Sequence, residues 1–158
     1  MKKKILLLVA LMGLVLVPTF AKSSDMSAGL ALGTINGVGF KYNLDKDLTL
    51  GGTVGFDLIN SGTLCVEAFG LKNVSDFKIE KETFDVNAGL GGATNIPLNG
   101  GSSFSLSVLP MGEVSYSFKG DYPIDVLLRL EPGIKLTFAS GVAASFDMHA
   151  SLQGLWRF

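Results

Sequence analysis

From Phe84 to the last residue, apolar and polar positions alternate along the chain with a period of two. Phe84, Val86, Ala88, Leu90, Ile96 and Leu98 are even-numbered, as are Phe104, Leu106, Val108, Val114, Tyr116 and Phe118. Ile124, Val126, Leu128, Leu130, Ile134, Leu136 and Phe138 repeat the pattern, and Val142 to Phe158 close it with Phe146, Met148, Leu152, Trp156 and Phe158. Successive side chains on a strand point to opposite faces, so each run predicts a strand with one apolar and one polar face. All ten charged residues after Thr83 are odd-numbered, a placement that chance would give about once in a thousand. Asn99-Gly100-Gly101, Lys119-Gly120-Asp121 and Ala139-Ser140-Gly141 separate the runs at a spacing of twenty residues. A three-residue hairpin loop joins positions of equal parity, so the apolar face continues across each turn.

The first half carries the same signal less cleanly. Ala28, Leu30 and Leu32 predict a first strand, Asn36-Gly37 a two-residue hairpin turn, and Val38 to Leu44 a second strand. Asp45-Lys46-Asp47 turns the chain into Leu48 to Leu58, and Asn60-Ser61-Gly62 leads to a weaker strand around Leu64, Val66 and Ala68. Phe69 and Leu71 break the parity, and Lys72 to Glu82 reads as the main irregular loop, with Phe77 and Ile79 able to extend a strand. Pro110 and Pro132-Gly133 read as bulges or kinks near the strand ends, where a missing donor is tolerated. Treated as turns they would raise the count to ten; treated as kinks they leave eight antiparallel strands.

Lys2, Lys3 and Lys4 precede an apolar run from Ile5 to Val17, followed by Pro18-Thr19-Phe20-Ala21. A basic start, a short apolar run and a small-x-small end describe a secretory signal peptide over residues 1–21, leaving a single β domain over 22–158. The run is too short for a membrane-spanning helix, which needs about 20 apolar residues. Without those three lysines, ten basic residues face fourteen acidic ones, a net charge of −4 that offers nothing to nucleic acid. Charged residues make up 17% of the chain, against about 25% in typical soluble proteins. The lone Cys65 has no partner for an internal disulfide and reads as a small packed side chain.

Alternation does not say which stripe faces inward. A soluble sandwich or lipocalin-like barrel would bury the Phe-rich stripe and wet the other. The odd stripe, however, is rich in Gly, Ser and Thr with opposite charges interspersed, which suits the narrow lumen of an eight-stranded barrel. Aromatics near the segment ends, among them Tyr42, Phe84, Tyr116, Phe138 and Trp156, suit the girdles of a membrane barrel. The ending on Trp156 and Phe158 resembles the closing strand of bacterial outer-membrane β-barrels, whose terminal aromatic is part of an insertion signal; the family often has glycine where Gln153 stands, whereas here it is Gly154. As a whole, residues 22–158 resemble the small eight-stranded outer-membrane proteins. That resemblance implies an all-β, antiparallel, up-and-down transmembrane barrel in the outer membrane, with membrane lipids and the barrel-assembly machinery as partners. It also implies periplasmic termini, with the turns near Asn36, Asn60, Gly100 and Ser140 outside; the longest loop then falls on the periplasmic side, the reverse of the family habit.

Candidate chemistry is sparse. One histidine excludes a multi-histidine metal site, and no CxxC, GxSxG or phosphate-binding glycine loop is present, so no cofactor is expected. His149 and Ser151 alternate on one strand face, as a base and a hydroxyl nucleophile would, and resemble the His-x-Ser pair of outer-membrane lipid A deacylases. Those enzymes carry a further Glu downstream, which is missing after Ser151 here. The structural alternative is a polar network in the lumen of Asp125, Arg129, Glu131, Lys135, Asp147 and His149. The function expected is a structural or envelope-interaction barrel with an unspecified external ligand; a lipid-modifying enzyme and a narrow pore are the alternatives.

Overall fold

The computed structural model of the chain describes residues 25–57, 62–98, 103–118 and 122–158. The signal segment and the tips at Asn60-Ser61, Asn99-Gly100-Gly101 and Lys119-Gly120-Asp121 lie outside them. Eight antiparallel strands follow one another around a closed barrel, and no helix occurs among the described residues. They are β1 (Met26–Gly33), β2 (Ile35–Asn43), β3 (Leu48–Asp57), β4 (Thr63–Ile79), β5 (Glu82–Pro97), β6 (Phe104–Ser117), β7 (Ile124–Phe138) and β8 (Val142–Arg157). β8 returns to β1 with Trp156 opposite Ala28 and Leu152 opposite Leu32, so no edge is left unpaired. The eight-strand count holds, and the ten-strand and sandwich alternatives fall away.

Parity sets the two faces. The even apolar residues cover the outside: Leu128 is 53% exposed and Phe146 is 73% exposed. Their odd neighbours point inward; Leu127 is 1% exposed and Asp147 is 8% exposed. The interior is not uniformly polar, however. Ile35, Cys65, Phe69, Leu71, Ala93, Leu109 and Met111 form one buried apolar cluster inside the barrel. The parity break at Phe69 and Leu71 is thus no loss of register: both sit at odd positions and pack inward. They fit because glycines face them. A methyl group on Gly51 would run into the Phe69 ring, and one on Gly91 would run into Met111.

Three expectations from the sequence are corrected. Lys72 to Glu82 is not an irregular loop but the end of a long hairpin, in which Ile79 pairs with Glu82 across a two-residue turn. Val74 is an extra residue there, since Asn73 faces Asn87 while Ser75 faces Val86. One inserted residue reverses the parity of everything beyond it. Phe77 and Ile79 therefore turn outward, and the even-numbered charges Asp76 and Lys78 come opposite Asp85 and Thr83. The first hairpin turns at Thr34 rather than at Asn36-Gly37. Gly37 is already paired with Ala31, while the Asn36 side chain donates to the Gly33 carbonyl at 2.9 Å and closes the turn. Pro110 and Pro132, finally, lie in mid-strand. The β6–β7 ladder runs to Val108–Ile134 and resumes at Gly112–Leu130 with unchanged register, which sets the two prolines opposite each other. Two missing donors at one cross-strand position open the ladder locally without a bulge.

The lumen packing gives a direct test. Gly51→Ala is expected to destabilise the barrel by about 1–3 kcal/mol through overpacking against Phe69. Gly154→Ala, whose added methyl meets nothing within 4 Å, is expected to change stability by less than about 0.5 kcal/mol. Equilibrium urea unfolding of the two variants checks the difference, and equal effects would contradict the packing described.

Candidate functional site

The inward positions of β4, β6 and β7 bring three carboxylates around one guanidinium. Arg129 on β7 has no exposed surface. Its Nε and Nη2 donate to Glu113 Oε2 at 3.0 and 2.7 Å, and its Nη1 donates to Glu67 Oε1 at 3.3 Å. Glu131 Oε1 stands 3.6 Å from the same Nη1. The guanidinium carbon lies over the Phe69 ring, 3.8 Å from its centroid, so the aromatic face supports the charge that the carboxylates neutralise. Lys41 of β2 reaches the other oxygen of Glu113 at 2.6 Å, and Asn87 donates to that oxygen at 3.1 Å. Buried charges of this kind are tolerated only when paired and hydrogen-bonded.

His149 continues the cluster on β8, directly opposite Glu131. Its Nδ1 is 3.7 Å from Glu67 Oε2 and 3.6 Å from Glu131 Oε2, and its Nε2 is 3.3 Å from Asp147 Oδ2. Asp147 also accepts a 2.5 Å hydrogen bond from Ser107 and lies 3.5 Å from Lys135 Nζ. Both imidazole nitrogens therefore face carboxylates rather than Ser151, whose hydroxyl accepts from Gln153 Nε2 at 3.3 Å. An imidazole so placed is poorly set to take a proton from Ser151, and the pair offers no assembled nucleophile.

Five of the six residues expected in the lumen network thus meet: Arg129, Glu131, Lys135, Asp147 and His149. Asp125 does not join them. It lies at the end where β1 begins and β8 ends, 3.3 Å from Arg157 Nε. There it lines an open vestibule of about 470 Å³ together with Asp25, Lys41, Asp45, Asp85 and Asn87. Glu67, Glu113 and Lys41 belong to the cluster but escaped the sequence reading. Their odd numbering was the available signal: Lys41 and Glu67 carry the same parity as every charge after Thr83.

Fold and cluster together define a class: an all-β closed barrel of eight antiparallel strands, apolar outside, with a side-chain-filled interior that holds a charged cluster. No protein-family model, curated protein or solved structure matches the chain.

The cluster's dependence on Arg129 is testable. Arg129→Met removes the cation that Glu67, Glu113 and Glu131 share, and is expected to cost about 3–5 kcal/mol in unfolding free energy. A loss below about 1 kcal/mol would show that the carboxylates do not rely on it.

Proposed function

We propose that the protein is an integral outer-membrane β-barrel of structural or envelope-interaction role, exported by residues 1–21 and closed to solute flow. The observation that carries the reading is the layout of the outer face. Tyr42, Phe77, Phe84, Tyr116, Phe118 and Trp156 ring the end at which β1 begins and β8 ends. Four of them form a ladder across β4, β5 and β6, with centroids 5.2, 5.1 and 4.8 Å apart from Phe77 through Phe84 and Tyr116 to Phe118. Phe56, Phe104 and Phe138 mark the opposite end. Between the two belts most of the exposed side chains are aliphatic, as Leu30, Val54, Leu90, Val108, Leu128 and Leu152 illustrate, with Phe40 and Phe146 among them. Such an aliphatic band between aromatic girdles is what a bilayer selects, whereas a water-facing surface would aggregate.

Strand length agrees. A tilted strand crosses a bilayer in about 9–11 residues. β2 and β3, with 9 and 10 residues, match that span, β1 with 8 falls one residue short of it, and β4 to β8, with 14 to 17, are long enough to stand out of it. Closure supplies every strand with two neighbours, which satisfies the backbone where no water is present. The filled interior speaks against a pore. Below the vestibule, the side chains of Glu113 and Arg129 have no accessible surface, and Leu109, Leu127 and Leu155 are at most 1% exposed. Trp156 and Phe158, both exposed on the outer face, would serve as the insertion signal read by the assembly machinery.

Leu128→Arg separates this reading from a soluble barrel. At a lipid-facing midplane position arginine costs about 2–4 kcal/mol. On a water-facing surface the same change at a residue 53% exposed stays within about 0.5 kcal/mol. Urea unfolding from lipid vesicles is expected to show the larger loss, and a neutral substitution would overturn the membrane assignment.

A further inference from the structure

We infer that Glu67, Glu131 and His149 form a binding site for one divalent transition-metal ion of the zinc class, enclosed within the barrel. Each of the three residues offers one donor atom, and the donors all lie within 4.8 Å of one another. His149 Nδ1 and Glu131 Oε2 are buried atoms without a hydrogen-bond partner, on residues 5% and 1% exposed. Their 3.6 Å separation, and the 3.7 Å from Nδ1 to Glu67 Oε2, exceed the 2.7–3.2 Å of a hydrogen bond. They match two ligands of a single ion. Zinc–nitrogen and zinc–oxygen bonds of about 2.0–2.2 Å place neighbouring ligands roughly 3.3–3.7 Å apart at tetrahedral to trigonal angles. A cavity of about 10 Å³, the room needed for one small sphere, is lined by Thr53, Glu67, Glu131, His149 and Ser151.

The surrounding groups orient the ligands as a metal site requires. Arg129 Nη1 takes the Oε1 atoms of both glutamates, at 3.3 and 3.6 Å, and so leaves both Oε2 atoms facing the imidazole. The ring's other nitrogen faces Asp147, itself held by Ser107, the carboxylate–histidine arrangement that fixes a ligating tautomer. Charge favours a cation as well. With His149 neutral, as a metal ligand is, the four carboxylates Glu67, Glu113, Glu131 and Asp147 outnumber Arg129, Lys41 and Lys135 by one, a charge that a bound cation offsets in place of the imidazole proton. Burial deepens along β7 and β8 away from the end bearing Ala139 to Gly141. Side-chain exposure falls from 26% at Lys135 to 10% at Asp147, 7% at His149 and 2% at Glu131. One imidazole with two carboxylates is a borderline donor set that suits zinc, and cobalt(II) serves as its spectroscopic substitute.

The test uses the full chain folded in detergent, stripped with a chelator and titrated with cobalt(II), then with zinc(II) in competition. The expected result is one ion per chain, with visible ligand-field absorption in the cobalt form that zinc abolishes. His149→Ala and Glu131→Gln are expected to weaken binding at least a hundredfold. Asp147→Asn, a positioning change, is expected to weaken it about ten- to a hundredfold while keeping one ion per chain. Asp125→Asn, in the vestibule, is expected to leave the affinity unchanged. Each sample is scored for folding by the gel shift between unboiled and boiled protein; if Glu131→Gln does not fold, His149→Asn carries the comparison. No ion retained by the folded wild type, or equal binding by folded wild type and His149 variants, would overturn the site.

Discussion

An eight-stranded barrel encloses a lumen just wide enough for side chains to fill, and that width governs what every inward residue can be. Large groups need small ones opposite. Phe69 occupies the space left at Gly51, and Met111 the space left at Gly91. The same width brings Arg129 onto Phe69 and within reach of carboxylates from β4, β6 and β7 at once. A wider barrel would hydrate these charges. Here they must neutralise one another, so the wall of β4 to β6 supplies the apolar bulk while β7 and β8 supply most of the charged groups.

This inverts the usual division of a soluble protein. Charge is concentrated inside and apolar surface outside, so the interior contributes specificity and the exterior contributes affinity for its surroundings. A buried ion cluster is weak evidence for net stability, because desolvation offsets most of the attraction. Its value lies in register. Each charged residue has partners on particular strands, and a one-residue slip would turn Glu113, Arg129 and Glu131 outward among aliphatic side chains. The cluster thereby ties β2, β4, β6, β7 and β8 to a single arrangement.

Much of this was legible in the sequence, because period-two alternation and the odd numbering of the charges after Thr83 fix strands, faces and most of the cluster. What was not legible has physical causes. The extra residue at Val74 reverses parity in one hairpin, which made ordered strand resemble a charged loop. Phe69, Leu71, Leu109 and Met111 are apolar residues on the polar face, and only the demand for lumen volume explains them. Glu67 sits among them between Cys65 and Phe69, so its membership in the cluster was hidden. The pairing of Pro110 with Pro132 is a cross-strand property that neither local sequence contains. Asn36-Gly37 carries strong hairpin chemistry, yet the chain turns two residues earlier, where the Asn36 side chain rather than its backbone closes the loop.

The central claim is that the even-numbered apolar face lies in lipid, and the chain carries its own probe of it. Trp156 is the sole tryptophan, 46% exposed on the outer face in the aromatic belt where β1 begins and β8 ends. The decisive measurement is its fluorescence in the folded protein reconstituted with lipids brominated at defined depths along the acyl chain. Insertion predicts a blue-shifted emission quenched by bromine, most strongly by bromine placed near the bilayer interface. Emission from folded protein that matches a water-exposed indole and ignores bromine at every depth would contradict the account.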